Sequence, residues 1–331
     1  FATEADGTVT VSGLQKGTYY AKEIPTDDPY WEFDTAVKSV TVAVGQTAEV
    51  TFTNTHYGRI EIRKTTNTGN QLGGWTFRVR DSEGNSYGDF TTDDNGYACT
   101  QNLPLGRYTV VELPTEDNYW LTELGFHDVT VKAGETTVDT WLNKEQGLVW
   151  FYKKTNTGES VEGWHITVYS DEACTQKVGT LITNKDGRAG YYLDPGTYWA
   201  KETGDEHGRF EDEYWMVDET VQKFEIKPHE DVSITFTNVQ YGKLKVVKAV
   251  QGDASLEGWQ FKITDAEGKV LDGSPFATDE DGIILTGNLL PGTYIVEELL
   301  PENSIYQCVS KNPQTVTVKQ GKIAEVSFIN A

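Results

Sequence analysis

The sequence repeats itself three times, and this repetition limits the possible folds more than any other feature. Each copy opens with an alternating segment from Gly to Lys, continues with a Gly-Trp segment and a Gly-x-Tyr-x-x-x-Glu segment, and closes on aromatic-x-Asn. The opening segments are Gly58–Lys64, Gly147–Lys153 and Gly242–Lys248. Such a chain is expected to form a row of similar domains, each with its own core.

The pattern within each repeat predicts β-strands. Apolar and polar residues alternate over four to six positions between Gly, Asn and Asp residues, and no segment keeps a helical period. We therefore predict an all-β fold, a tandem array of small antiparallel β-sandwich domains of an immunoglobulin-like kind. The predicted domains cover residues 57–145, 146–240 and 241–331. Residues 1–56 match only the second half of the repeat, so we expect them to be the C-terminal half of a domain whose first strands are missing from this sequence.

Composition excludes several classes of function. Over 331 residues there are 51 Asp and Glu against 28 Lys and Arg, a net charge of −23, which repels nucleic acid and anionic membranes. No apolar run approaches the roughly 20 residues that cross a bilayer. Three cysteines at unrelated points of the repeats predict no disulfide framework. The Asp-rich turns before Gly96 and Gly282 lack the later bidentate Glu of a calcium loop, so we expect no metal and no cofactor.

Strand parity predicts that three polar side chains of each repeat share the buried face, because side chains alternate between the two faces of a strand. The Lys is in line with the aliphatic residues of the opening strand, the Glu with the Tyr of its strand, and the Asn with the closing aromatic residue. The three predicted sets are Lys64, Glu112 and Asn143; Lys153, Glu202 and Asn238; and Lys248, Glu298 and Asn330. In the incomplete first unit Glu23 and Asn54 fall in register without a Lys, and we predict no bond at Asn54 unless a strand is supplied from elsewhere.

Two interpretations of these sets are open, since buried charges are costly unless they are paired. One is a Lys–Glu salt bridge with an Asn hydrogen bond. The other is a reaction, in which desolvation lowers the pKa of the Lys and raises that of the Glu, and the neutral amine attacks the Asn carboxamide and expels ammonia. Three copies at near-constant spacing favour the reaction.

These motifs resemble the Cna protein B-type domains, also called SpaA-like or prealbumin-like pilin domains. The resemblance rests on the Gly-to-Lys opening, on Leu-Pro-Gly-x-Tyr-x-x-x-Glu from Leu290, and on Phe-x-Asn, and it covers the chain as one half and three complete units. It implies an isopeptide bond between Lys and Asn of each complete set, with the Glu as internal catalyst acting once, and so no turnover enzyme. It also implies a stalk or shaft of an adhesin or pilus on the surface of a Gram-positive bacterium. The implied protein is extracellular and anchored to the cell wall through a region outside this chain, with neighbouring domains of a longer surface protein as its partners.

The domain of residues 146–240 suggests an alternative function; it is called the third domain here because residues 1–56 are counted as the first. Trp150, Tyr152 and Trp199 are predicted to face outward, and exposed aromatic residues often mark contact sites. They could bind a carbohydrate or a host protein, or they could pack against a neighbouring domain or loop. The same domain carries an acidic loop insertion, Gly204 to Glu213, which we expect to be a solvated run of charge.

Overall fold

A computed structural model describes residues 1–302 and 304–331, and all the regular elements in that part of the chain are β-strands. The prediction of an all-β array is therefore confirmed. The chain divides into two compact units, Phe1–Glu145 and Gln146–Ala331. No helix among the described residues has the length and apolar character needed to span a bilayer.

The first unit contains residues 1–56, which form only two-stranded sheets, and after them a domain of two four-stranded sheets. Residues 1–56 form two small sheets, β1-β3 and β2-β4, and the residues after them form sheets β10-β12-β5-β8 and β11-β9-β6-β7. The strands are β1 (Gly17–Ala21), β2 (Trp31–Glu32), β3 (Lys38–Val42), β4 (Thr55–His56), β5 (Arg59–Thr66), β6 (Thr76–Asp81), β7 (Ser86–Thr91), β8 (Tyr97–Cys99), β9 (Gly106–Glu112), β10 (Trp120–Leu121), β11 (His127–Val131) and β12 (Thr136–Glu145).

The second unit contains two complete domains. The first has sheets β16-β13-β20-β18 and β15-β14-β17-β19, and the second has sheets β24-β21-β27 and β23-β22-β25-β26. The strands are β13 (Gly147–Thr155), β14 (Trp164–Tyr169), β15 (Lys177–Ile182), β16 (Arg188–Leu193), β17 (Gly196–Asp205), β18 (Trp215–Met216), β19 (Gln222–Ile226), β20 (Asp231–Gln240), β21 (Lys243–Val250), β22 (Gln260–Asp265), β23 (Phe276–Ala277), β24 (Ile283–Leu285), β25 (Gly292–Leu299), β26 (Gln314–Val318) and β27 (Ile323–Asn330).

The first and last strands of every complete domain pair in parallel, whereas the other paired strands are antiparallel. The parallel pairs β5–β12, β13–β20 and β21–β27 place each opening Lys opposite the closing aromatic residue, as in Lys64 opposite Trp141. A parallel pair requires a long connection between its strands, and the rest of the domain supplies it. The sequence pattern predicted the antiparallel pairs but gave no sign of this parallel one.

Each complete domain has its own apolar core between its two sheets. In the first of them Ile60, Phe77, Val110 and Trp141 are fully buried. The corresponding core residues of the other two are Val149, Phe151, Ile166 and Phe236, and then Leu244, Val246, Phe261 and Phe328. These side chains are the alternate residues of their strands, so the period of two read from the sequence defines the buried face.

The short link between neighbouring domains is tied by backbone hydrogen bonds within each unit. In the first unit Tyr57 N–H donates to the Tyr30 carbonyl over 2.8 Å, and Gly134 N–H donates to the Tyr57 carbonyl over 2.9 Å. In the second unit Tyr241 N–H donates to Tyr214 O over 2.7 Å, and Gly321 N–H donates to Tyr241 O over 2.8 Å. Both links are thus ordered parts of the fold.

The Gly that opens each repeat is required by a close approach of two backbones. A Cβ on Gly58, Gly147 or Gly242 would lie 2.2–2.3 Å from a backbone carbonyl oxygen, that of Lys132, Lys227 or Lys319 respectively. No side chain fits at such a distance. The Gly in the opening motif is therefore explained by packing.

We expect Gly242→Ala to destabilise the last domain by about 1–3 kcal/mol, the usual cost of forcing extra volume into a packed site. Chemical denaturation of the purified chain measures this change. Gly287→Ala in the same domain is the control, because nothing lies within 4 Å of a Cβ there, and it should change the free energy of unfolding by less than about 1 kcal/mol. Equal effects of the two changes would contradict this explanation of the motif.

Candidate functional site

The Lys, Glu and Asn predicted from parity are buried in every complete domain. The Lys residues lie on the opening strands β5, β13 and β21, the Glu residues on β9, β17 and β25, and the Asn residues on the closing strands. The buried residues are Lys64, Glu112, Asn143, Lys153, Glu202, Asn238, Lys248, Glu298 and Asn330. Because Lys and Asn come from the parallel pair and Glu from the facing sheet, the three meet inside the sandwich.

One carboxylate oxygen contacts both nitrogen atoms of the set in the first complete domain. Lys64 Nζ donates to Glu112 Oε1 over 2.7 Å, and Asn143 Nδ2 donates to the same oxygen over 2.9 Å. The amine and the carboxamide are therefore held on either side of a single acceptor.

The other two complete domains have related arrangements. In the last domain Lys248 Nζ lies 2.7 Å from Glu298 Oε1, and Asn330 Nδ2 donates to that oxygen over 2.9 Å. In the domain before it Lys153 Nζ donates to Glu202 Oε1 over 2.5 Å. Asn238 is fully buried on β20, two residues after Phe236, which lies opposite Lys153.

The second oxygen of each buried Glu has no hydrogen-bond partner among the described residues. This is true of Oε2 in Glu112, Glu202 and Glu298. A buried carboxylate with one unpaired oxygen is costly, and protonation of that oxygen removes the charge. Each of these acids thus has one oxygen in contact with the Lys amine and a second, buried oxygen without a described donor.

Burial changes the acid–base properties of the cluster. Desolvation lowers the pKa of Lys64, and it lowers the pKa of Lys153 to about 8 even though Glu202 acts in the opposite direction. Desolvation also raises the pKa of Glu202, against the opposing effects of Lys153 and Asn238. Both shifts favour the neutral pair, and a pKa of about 8 makes part of the Lys153 amine neutral near pH 7.

The Trp of the Gly-Trp motif covers the amine, a role that the sequence analysis did not assign. Lys64 Nζ lies 4.8 Å from the ring centre of Trp75, Lys153 Nζ lies 4.5 Å from that of Trp164, and Lys248 Nζ lies 4.3 Å from that of Trp259. A second ring packs edge-on against each: Trp120, Trp215 and Tyr306. These rings keep water from the cluster. The repetition of Trp beside each Lys segment was the available signal.

Residues 1–56 contain part of the same arrangement. Asn54 Nδ2 donates to Glu23 Oε1 over 2.7 Å, and both residues are only partly buried. The acid and the carboxamide are therefore brought together in residues 1–56 in the same contact as in the first and the last complete domain.

The three aromatic residues of the third domain do not form one surface. Trp150 and Tyr152 lie on β13 and Trp199 lies on β17, and they point away from the core on opposite sides of the sandwich. Trp150 packs over Gly190, where a Cβ would lie 2.8 Å from its ring. All three side chains are partly buried.

The acidic insertion of this domain is partly buried, and the expectation of a solvated run of charge is wrong for Asp205. Its side chain is inaccessible to solvent and accepts a 2.9 Å hydrogen bond from Arg209. The Arg209 guanidinium lies 4.6 Å from the ring centre of Trp164, the ring that covers Lys153. The insertion therefore packs against the candidate site.

The Asp-rich turns are explained by local hydrogen bonds. Asp93 Oδ1 accepts from the N–H groups of Asn95 and Tyr97, and Asp279 Oδ1 accepts in the same way from Asp281 and Ile283. Over the described residues, no three His, Cys, Asp or Glu side chains come together in a way that could hold a metal ion.

The fold and the cluster define a tandem array of β-sandwich domains, with a buried amine, acid and carboxamide in each complete domain. The model of the SpaA prealbumin-like fold domain matches residues 1–56, 58–145, 149–240 and 242–331. The chain therefore belongs to this family, which confirms the resemblance seen in the motifs. None of the curated proteins compared with the chain is significantly similar to it.

The chain is also similar to several solved structures. The Bacillus anthracis TIE protein is 23% identical, with a TM-score of 0.35, and the match covers 90% of this chain and 55% of that protein. BcpA, the major pilin subunit of Bacillus cereus, is 14% identical, with 82% and 99% covered and a TM-score of 0.34. The major pilin SpaD from Corynebacterium diphtheriae is 13% identical, with 82% and 97% covered and a TM-score of 0.28. The chain thus spans about half the length of the TIE protein.

In the variant Asn238→Ala, which leaves the Lys153 amine without its carboxamide, we expect Lys153 to titrate near pH 8 instead of its ordinary 10.5, because it is desolvated. The unfolded chain then binds more protons than the folded one between these values, so the free energy of unfolding should rise with pH from about 8 to 10.5. NMR titration of isotope-labelled lysine and denaturation at several pH values measure the two effects.

The matched control adds Lys153→Met to Asn238→Ala, which removes the titrating group and should abolish the rise in stability. A midpoint for Lys153 near its ordinary 10.5, as for a solvated lysine, would contradict the desolvation argument.

Proposed function

We propose that the chain is a section of the stalk or shaft of an adhesin or pilus on a Gram-positive cell surface. In this proposal each complete domain is cross-linked by an amide between its Lys and its Asn. The observation that carries the proposal is the Glu oxygen shared by the Lys amine and the Asn carboxamide in a buried site, as at Glu112. Membership of the SpaA prealbumin-like family supports it.

The amide would form by substitution at one carbon, Cγ of the Asn. The neutral Nζ of Lys64 attacks Cγ of Asn143, the new N–C bond forms, and the Cγ–Nδ2 bond breaks. Glu112 takes a proton from the attacking amine and passes it to Nδ2, which leaves as ammonia. The acid is returned unchanged after one event, and fixed neighbours in the fold replace a bimolecular encounter. Each Glu serves its own domain, so this is not turnover catalysis.

The cross-link would stabilise a domain by limiting its unfolded state. The Lys-to-Asn intervals are 79, 85 and 82 residues. By the entropy model used for disulfides, closing loops of this length stabilises by about 4–5 kcal/mol, a large share of a typical net stability of about 5–15 kcal/mol. Unlike a disulfide, the amide does not depend on redox conditions, which suits a chain with three cysteines.

The position of the bond suits a protein under tension. Lys and Asn lie on the first and last strands, which are neighbours in one sheet. A load entering a domain through its first strand would leave through its last strand across the amide, without extending the residues between. We infer that the partners are neighbouring domains of a longer extracellular protein, anchored to the cell wall outside this chain.

We do not propose adhesion through the aromatic residues of the third domain. Trp150 and Trp199 lie on opposite faces of their sandwich, and Trp150 packs on its own sheet over Gly190. No contact among the described residues favours a ligand there over simple packing.

The intact mass of the purified chain should be lower than the sequence mass by three ammonia molecules, one for each complete domain. Glu112→Ala should restore the mass of one ammonia and destabilise residues 57–145 by about 4–5 kcal/mol, the loss of the closed loop. Mass spectrometry with peptide mapping, together with thermal denaturation, measures both effects.

The control is Glu116→Ala, which changes an exposed Glu of the same domain and should leave the mass deficit at three ammonia. A wild-type mass equal to the sequence mass would end the cross-link proposal and leave a buried salt bridge in its place.

A further inference from the structure

A backbone N–H contacts the carboxamide oxygen of the Asn in residues 1–56 and in two of the three complete domains. Asp34 N–H donates to Asn54 Oδ1 over 2.9 Å, Glu123 N–H donates to Asn143 Oδ1 over 3.2 Å, and Asp218 N–H donates to Asn238 Oδ1 over 2.7 Å. Each donor lies 20 residues before its Asn, in the segment that precedes the penultimate strand. The contact is therefore a regular part of the repeat.

The acidic side chain of the donor residue holds the contact in place in the two complete domains that have it. Leu142 N–H donates to Glu123 Oε2 over 3.2 Å, and Thr237 N–H donates to Asp218 Oδ2 over 3.2 Å. Leu142 and Thr237 directly precede the reacting Asn residues. Hydrogen bonds thus join the donor segment to the closing strand at two adjacent residues. They fix the direction of the N–H of Glu123 and of Asp218.

The last domain keeps one of these two contacts and not the other. Ser310 lies 20 residues before Asn330, and its Oγ accepts from Ile329 N–H over 3.1 Å. Its own N–H is directed to the Ile329 carbonyl at 3.4 Å, because Cys308 pairs with Asn330 as a β-bridge. Asn330 Oδ1 is buried and accepts no hydrogen bond from any described residue.

Attack of an amine on a carboxamide moves negative charge onto the carboxamide oxygen. A donor aimed at that oxygen in a dry site stabilises the charge, and loss of one such donor typically slows a reaction about a hundredfold or more. The Asp218 and Glu123 N–H groups occupy this position at hydrogen-bond distance. The Glu side chain, on the other side, handles the protons.

We propose that the backbone N–H groups of Glu123 and Asp218 are the oxyanion donors for amide formation in their domains, that their carboxylates are positioning groups, and that the last domain reacts without this donor. The inference rests on the proposed cross-link. As Lys153 Nζ bonds to Asn238 Cγ, the carbonyl electrons move to Oδ1 and are stabilised by Asp218 N–H. They return as the Cγ–Nδ2 bond breaks, and Nδ2 leaves as ammonia with the proton relayed by Glu202.

The test follows each Lys–Asn bond over time in the full chain after a short pulse of cell-free synthesis, with acid quenching and peptide mapping. Incorporating the α-hydroxy acid counterpart of aspartate at position 218 replaces the N–H by an ester oxygen and keeps the side chain. We expect the Lys153–Asn238 bond to form about a hundredfold more slowly. The Lys248–Asn330 bond of the same chain is the internal control and should form at its wild-type rate.

A second pair of variants separates positioning from folding. Asp218→Ala and Asp218→Asn remove the same charge, but only the Asn retains an oxygen that can accept from Thr237 N–H. We expect a slow reaction in Asp218→Ala and a rate close to wild type in Asp218→Asn. This rescue would not occur if loss of charge or general misfolding were the cause.

The outcomes distinguish this inference from the proposed function. A wild-type rate in the ester variant, or equal rates in Asp218→Ala and Asp218→Asn, would overturn the donor assignment while the cross-link itself stands. Absence of ammonia loss in the unmodified chain would overturn the proposed function, and the donor assignment with it.

Discussion

Each complete domain depends on burying a Lys amine against a single Glu oxygen in an apolar interior. Charges in such a place destabilise a fold unless they are paired or neutralised. The neighbourhood of Lys153 meets this demand by burial that lowers the amine pKa and raises the acid pKa, and by the Trp164 ring over the amine. A neutral amine costs less to bury than a charged one, and in the proposed reaction it is also the nucleophile. In the proposed reaction, bond formation removes the costly charge permanently.

The parallel pairing of first and last strands links this chemistry to the mechanics of the array. Antiparallel pairing of neighbours alone would leave Lys64 and Asn143 in separate hairpins, whereas the parallel pair puts Lys64 opposite Trp141, two residues before Asn143. The Glu then approaches from the facing sheet on β9. One choice of strand order therefore brings the buried amine, acid and carboxamide together. It also puts the entry and exit of the chain at opposite ends of one strand pair, so that a tensile load would act along that pair.

Sequence reasoning found the members of the cluster because parity is a local property. The alternation of apolar and polar residues around Lys64 or Glu298 predicts which side chains are buried. The repeats show that Lys, Glu and Asn recur together. Other features depend on sheet order and loop path, which a period of two does not encode: the parallel pair, the Trp75 cover and the Asp218 N–H contact. The burial of Asp205 was missed for a related reason, since the Arg209 that pairs with it also packs on a ring more than 40 residues away in sequence.

The last domain shows why equal spacing in sequence does not mean equal chemistry. Ser310 and Asp218 lie at the same distance from their Asn residues, and each accepts a hydrogen bond from the residue before that Asn. The backbone path nevertheless differs, because the bridge between Cys308 and Asn330 turns the Ser310 N–H toward a main-chain carbonyl. The side-chain contact with the closing strand is therefore kept in the last domain. Asn330 Oδ1, by contrast, accepts no backbone N–H from the described residues. In the proposed reaction, the backbone would therefore set the rate of amide formation in each domain, while Lys, Glu and Asn stay the same.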